Sequence, residues 1–421
     1  MADVPLPRPS DPTVSSVEEH LARVTDQQPA LPIQDLPVLE CLGLACAQDV
    51  HSTIALPSFD NSGMDGYAVV QADVAHASPE HPVVLPVVGQ IGAGQADLRT
   101  LAAGEAAKIM TGAPVPQGCD AVVPYEWTDR GADQVTITQA PEPGAHVRGA
   151  GLDVAVGDLV VGADTVLSPR HLGLLASLGL ATVPVRPRPR VVVISTGTEL
   201  REPGTALGHD SIYDGNSYLL AAAVQQLGGV AQRVGIVSDD PAVFAAALAA
   251  QLPGADLVVT SGGVSQGDFD VVKAALTTQG VWFGPVAMQP GKPQGFGRLD
   301  DGTGRRVPIL TLPGNPVSAY VSFEVFVLPV LRRMMGLTPT SRPTVTARLT
   351  HDVGSPAGRQ QYLRGEIGHD ERGAYVAPVG GAGSHLIGEL AGASALIVVP
   401  RETTALSTGE QVTVLVMDQD L

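Results

Sequence analysis

Cysteine, aromatic residues and positive charge are all scarce in this 421-residue chain. The three cysteines, Cys41, Cys46 and Cys119, make no CxxC pair and no CxxC…His spacing. That excludes a zinc-ribbon or disulfide framework and fits a reducing cytosol. Aromatics are 4% of the residues, so the core must be built mostly from Val, Leu, Ala and Ile. Lys and Arg number 25 against 43 Asp and Glu, a formal net charge of −18, with no basic block. Sequence-independent nucleic-acid binding needs clustered cations and is excluded. An anionic ligand must be held by local groups or a metal ion against the field of the whole chain. Long apolar runs are missing too: 172-LGLLASLGLATVPV-185 is too short and too interrupted by Gly and Pro to span a bilayer. The opening MADVPLPRPSDPT has no apolar stretch of the signal-peptide kind. The expectation is a cytoplasmic protein with neither nucleic-acid nor membrane partners.

What is present folds. Hydrophobic residues are 44%, and Gly 48 with Pro 35 implies many turns. The length suits two to four domains. A helix is expected near 14–23, capped by Ser15 or Ser16, and a second over 38–50. Residues 47–149 carry short β-rich runs broken by Gly and Pro, the pattern of a β module. From 186 the character changes. Apolar runs 191-VVVIS-195, 230-VAQRVGIVS-238, 256-DLVVTS-261 and 307-VPILTL-312 alternate with helical patterns at 217–228, 241–252, 268–280 and 316–336. Uniformly apolar strands alternating with helices predict a parallel sheet covered on both faces, a doubly wound α/β domain. After Thr338-Pro339 β-like runs return at 344–350, 374–379, 395–400 and 411–417, a C-terminal β domain.

Ligands of an open parallel sheet bind beyond the carboxyl ends of its strands. Those ends carry Thr196, Gly197 and Glu199; Asp239 and Asp240; Ser261 to Gly263, Ser265, Asp268 and Asp270; and Pro313, Gly314 and Asn315. Glycines let backbone N–H groups approach a ligand, and helix N-termini favour anions. Carboxylates on the same rim call for a hard cation such as Mg²⁺, which keeps phosphate oxygens among its ligands. A phosphate-containing ligand held with Mg²⁺ is the expectation. Singly, each signal is weak: Asp239 or Asp240 serves equally as a helix cap, and Gly262-Gly263 as any tight turn. The coincidence at four strand ends carries the reading. Further polar clusters are 56-LPSFDNSGMDGYAV-69 with Asp60 and Asp65, 110-MTGAPVPQGCDAVVPYE-126, 148-RGAGLDV-154 with Asp153, and Arg359, Arg364 and Ser384 toward the C-terminus. Turns and solvated charges are the ordinary alternatives for each.

DNSGMDGYAV (60–69), TGAPVPQGCDAVVPYE (111–126), STGTEL (195–200), SGGVSQGDFD (261–270), PGKPQGFG (290–297) and LPGNPVSA (312–319) occur in order. As a set they closely resemble the molybdopterin molybdenumtransferase family, which inserts molybdate into adenylylated molybdopterin and includes the E domain of gephyrin. The resemblance runs from about residue 15 to the C-terminus. It implies an elongated homodimer of four-domain subunits: a linker and dimerisation domain (14–46 and 150–178), the β-rich module (47–149), an α/β domain similar to molybdopterin adenylyltransferase (179–336, with residues 1–25 packing on it) and the C-terminal β domain (337–421). The site would lie between the α/β sheet of one subunit and the β module of the other. Carried onto matching positions, Glu199, Asp239 and Asp270 would handle Mg²⁺ and the adenylyl pyrophosphate, and Asp60 and Asp153 would face molybdate. Asp65, Thr111, Gly112, Thr196, Gly197, Ser261, Gly262, Gly263, Ser265, Gln289, Lys292, Pro313, Gly314, Asn315, Arg359, Arg364 and Ser384 would bind substrate. Implied partners are adenylyl-molybdopterin, molybdate and the adenylyltransferase that supplies the former. Two positions depart from the pattern: Pro285 and Gln289 stand where the family often has lysines, leaving Lys292 alone in that segment. The competing readings are the adenylyltransferase step itself, disfavoured by the β modules, and a non-catalytic gephyrin-like scaffold, disfavoured by the absence of a long partner-binding linker.

Overall fold

The computed structural model describes residues 14–26, 28–94, 100–264 and 271–418. They fall into two compact units, one formed by residues 36–42 and 48–183, the other by the rest.

The larger unit contains a six-stranded sheet in the order Val230–Val237, Arg190–Thr196, Leu257–Ser261, Arg306–Leu312, Pro293–Asp300, Trp282–Pro285. The first four strands are parallel; the inner three are almost wholly apolar and buried, as strands covered on both faces must be, whereas the edge strand Val230–Val237 carries Gln232 and Arg233. Successive side chains point to opposite faces, and both faces are covered. Val191, Val193, Leu257 and Val259 pack with Leu220, Val224, Val321 and Phe326. Val192, Ile194, Val258 and Ile309 pack on the other side with Phe244, Leu248, Val272 and Leu276. The domain is therefore doubly wound. Its last two strands run antiparallel, which the sequence reading did not foresee: PQGFGRLD has too much Gly and polarity to look like a strand. The helix expected over 316–336 is interrupted by a π-turn at Phe323–Val327 between Pro316–Ser322 and Leu328–Met334. Pro329 has no N–H for the ladder and crowds the preceding turn, and the wider π geometry accommodates it.

Helix Val17–Thr25 begins at Ser16 in a capping box with Glu19. The helix expected over 38–50 is absent. Val38–Cys41 is a single 3-10 turn, Gly43 takes φ +75°, and Cys46 bridges to Val185 in extended backbone. The Cys41 thiol bonds the carbonyls of Leu36 and Pro37, tightening the turn that ends the helical pattern.

The C-terminal β domain is a closed barrel. Gln360–Asp370 pairs with Gly373–Pro378 and with Ala395–Val399, and the circuit closes through Thr344–Leu349 and Gln411–Val416. Closure removes exposed sheet edges. The 11-residue strand Gln360–Asp370 is its longest, although its polar sequence had read as a site segment. Met288–Gln289 adds to this barrel beside Gln360 and Gln361.

The smaller unit holds a five-stranded sheet, Ala121–Pro124, Gly66–Val69, Ala106–Ile109, Val83–Ile91, Gln134–Ile137, around Tyr67, Val69, Leu85, Val123 and Ile137. No helix among the described residues is long and apolar enough to cross a membrane.

Candidate functional site

The carboxyl ends of the parallel strands open into a cavity of about 910 Å³ in the larger unit, a size suited to a small-molecule ligand. The strand Arg190–Thr196 contributes Thr196, Gly197 and Glu199; the strand Val230–Val237 leads to Asp239; Leu257–Ser261 ends in Ser261, Gly262 and Gly263; Arg306–Leu312 leads to Pro313, Gly314 and Asn315. The four strand ends do converge. Gln289 and Lys292 enter from the neighbouring segment, and Arg359 and Ser384 from the barrel.

Gly262 is required. Gly262 has φ +98°, and a Cβ there would lie 2.8 Å from the Thr196 carbonyl oxygen. No side chain fits, so backbone forms the cavity floor. Asp239 Oδ2 accepts the N–H of Thr198 at 2.8 Å, which pins the loop that carries Glu199. Asn315 Nδ2 donates to Ser384 Oγ at 2.9 Å, and Val317 N–H to the Ser384 carbonyl at 3.0 Å. These bonds fasten the barrel loop to the helix that starts at Pro316. The Thr196 hydroxyl oxygen is buried and has no hydrogen-bond partner. A buried hydroxyl without a partner at the floor of a cavity is a group waiting for one.

Arg364 is placed differently from Arg359. It is 4% exposed and does not line the cavity. Its guanidinium donates to the carbonyls of Gly381 and Gly383, and burial pulls its pKa down. It shapes the loop that presents Ser384. Pro285 also lies off the cavity, its carbonyl accepting Ser15 N–H, whereas Gln289 lines it. Ser265 and Asp270 lie outside the described residues. Asp214 and Asn216 also line the cavity and are absent from the sequence-derived candidates; the polar Asp-Gly-Asn just ahead of the helix is the local signal that could have pointed to them.

Among the described residues no three of His, Cys, Asp or Glu gather into a metal cage. Glu199 and Asp239 provide two carboxylates on one cavity. One or two carboxylates completed by substrate phosphates is the donor set Mg²⁺ prefers, so the residues present fit that ion.

In the smaller unit the motifs 56–65, 110–115 and 147–154 meet. Asp60 Oδ1 accepts Ala150 N–H at 2.7 Å, Asn61 pairs with Arg148, and Asp153 N–H bonds the Leu56 carbonyl. Asp65 Oδ1 accepts both the N–H and the hydroxyl of Thr111, at 2.7 and 2.8 Å. Those two bonds hold its pKa below the usual carboxylate range. Gly112 N–H closes the loop on the Ser62 carbonyl.

Three family profiles match the chain in order: the MoeA N-terminal region (domain I and II) over residues 15–179, a probable molybdopterin binding domain over 192–333, and the MoeA C-terminal region (domain IV) over 346–417. The molybdopterin molybdenumtransferase 2 of Mycobacterium tuberculosis is 46% identical, covering 95% of this chain and 98% of its own. The chain belongs to the molybdopterin molybdenumtransferase family. The Haemophilus influenzae relative of the same name is 37% identical over 90% of this chain and 92% of its own. A solved MoeA structure from Pyrococcus horikosii superposes with a TM-score of 0.81 at 32% identity, covering 97% of this chain and 100% of the other. Among the described residues, the lysine and arginine that line the cavity are Lys292 and Arg359, with the amide of Gln289 beside them.

Proposed function

We propose that this chain is a molybdopterin molybdenumtransferase: it inserts molybdate into adenylyl-molybdopterin and releases AMP. The observation that carries this is the convergence of Thr196, Glu199, Asp239, Ser261–Gly263 and Gly314–Asn315 on one cavity, in a chain that matches relatives of that name over nearly its whole length. A phosphoanhydride next to an oxyanion is dense negative charge. The chain's task is to position it and offset it, with little covalent chemistry of its own. Backbone N–H groups of the glycine loops cradle the phosphates. Lys292 and Arg359 supply positive charge, Ser384 and Gln289 donate hydrogen bonds, and Thr196 finds the partner it lacks. Glu199 and Asp239, joined by Asp270, would hold Mg²⁺, which supplies charge neutralisation at the anhydride oxygens.

The remaining parts of the reading rest on the family resemblance. The chain works as a cytoplasmic homodimer of four-domain subunits, with domains bounded near residues 46, 149, 178 and 336. The cluster of Asp60, Asp65, Thr111, Gly112 and Asp153 is supplied by the partner subunit, with Asp60 and Asp153 facing molybdate and Asp65, Thr111 and Gly112 binding substrate, and the adenylyltransferase hands over that substrate. Arg364 serves by shaping the Ser384 loop. The test is product formation. Full-length protein, adenylyl-molybdopterin, Mg²⁺ and molybdate are incubated with an apo-molybdoenzyme. Activation of that enzyme is expected, and its loss in Glu199→Gln and Asp239→Asn. No activation by well-folded wild type refutes the reading.

A further inference from the structure

The segment 212–217 touches three of the strand-end loops at once. Asn216 is the first residue of helix Asn216–Gln226. Its Nδ2 donates to Ser261 Oγ at 2.8 Å and to the Gly314 carbonyl at 2.6 Å. An amide nitrogen has two hydrogens, and both are used. Ser261 Oγ donates onward to the Pro313 carbonyl at 3.3 Å, and Gly262 N–H to the Leu312 carbonyl at 3.1 Å. One side chain thus bridges the loop after Leu257–Ser261 and the loop after Arg306–Leu312.

The same segment reaches the Glu199 loop. Ile212 N–H donates to the Glu199 carbonyl and Asp214 N–H to that of Arg201, each at 2.9 Å. The turn between is held by Asp214, 1% exposed. Its Oδ1 accepts from Ser195 Oγ and from Ser217 N–H, both at 3.0 Å, and its Oδ2 from Ser217 Oγ at 2.6 Å. Arg233 Nε donates to Ser217 Oγ at 2.8 Å. Asp214 is so well supplied with donors that its carboxylate serves the turn and not a ligand.

We propose that Asn216 is a positioning residue. It clasps loops 261–263 and 313–315 together, and through the turn held by Asp214 it ties them to the loop of Glu199, so that one ligand is gripped by all three. The proposal rests on the reading of the cavity as a phosphate site. The physical need is clear at Gly314. In a trans peptide the C=O and the following N–H point in opposite directions. Holding the Gly314 carbonyl therefore fixes the Asn315 N–H as well. Released, that peptide is free to flip and set a carbonyl against an anion.

The test uses the full chain with Asn216→Ala and the isosteric Asn216→Asp, which keeps the shape and removes both donors. In hydrogen exchange, segments 257–264 and 310–316 are expected to exchange at least tenfold faster in both variants, with Ala395–Val399 in the barrel unchanged as a check of folding. Unchanged exchange in both, or a loss with Ala that Asp does not share, overturns the clasp: the second result would mean that Asn216 only fills space. In AMP titrations with Mg²⁺, each variant should bind at least tenfold more weakly, and Asn216→Ala/Ser261→Ala should be little worse than Asn216→Ala alone. Fully multiplicative losses overturn the coupling. A wild type that binds no AMP refutes the reading of the cavity, while the exchange result still decides the clasp.

Discussion

Replacing Gly262 by alanine tests the claim that backbone must form the cavity floor. Two costs add. The residue sits at φ +98°, a left-handed conformation that costs an L-residue about 1–2 kcal/mol. The new Cβ would also lie 2.8 Å from the Thr196 carbonyl oxygen and 3.2 Å from its hydroxyl, and overpacking of this kind costs about 1–3 kcal/mol. The expected destabilisation is about 3.5 kcal/mol, the middle of the combined range. Gly302→Ala is the control: its φ is +87° but nothing lies within 4 Å of the added carbon, so it pays only the conformational cost. The chain has two tryptophans. Trp282 is buried in the larger unit and packs against His20 with the rings tilted by 37°, so a Trp127→Phe background makes fluorescence report on that unit. Urea titration should show Gly262→Ala clearly less stable than Gly302→Ala, with weaker AMP binding. Equal losses in the two variants would refute the close approach of Gly262 to Thr196.

Other outcomes follow from the same geometry. His20 is buried between Trp282 and Phe326 and its pKa falls to about 3, by burial first and Arg23 second. Its folded value lies below the unfolded one, so the unfolded chain takes up a proton first. Stability is full above pH 6.5 and lost as pH falls toward 3, with about 2 kcal/mol gone at pH 5; His20→Phe should flatten that part of a melting-temperature profile. Arg342 and Glu324 form a buried pair at 2.7 Å. Arg342→Ala should cost about 3–5 kcal/mol in urea unfolding by stranding the carboxylate, while Arg342→Met with Glu324→Leu recovers most of it. Gln289→Lys adds a positive charge to the cavity and should tighten AMP several-fold in calorimetry, with a steeper salt dependence; Pro285→Lys, off the cavity, should not.

Much of this molecule was legible because its signals were redundant. VVVIS and LVVTS could hardly be anything but central parallel strands, and strand ends dictate where a ligand binds. The antiparallel pair 282–285 and 293–300 was hidden because its glycines are there for close packing: a Cβ on Gly295 would lie 2.2 Å from Thr311 Oγ1. The missing helix at 38–50 had helical periodicity, but Gly43 and pairing around Cys46 overrode it. Arg364 and Arg359 were indistinguishable in sequence, since whether an arginine faces a cavity or a buried carbonyl depends on strand register. Asn216 was missed for a related reason. Its value comes from two carbonyl and hydroxyl partners 45 and 98 residues away, and nothing local announces them.

The central claim is that the cavity handles an adenylyl anhydride for exchange with molybdate. AMP release from adenylyl-molybdopterin by the purified full-length chain with Mg²⁺, with and without molybdate, tests it most directly. The account predicts release that depends on molybdate and is lost in Glu199→Gln. Release that is indifferent to molybdate, or no release from protein that binds AMP, would contradict it.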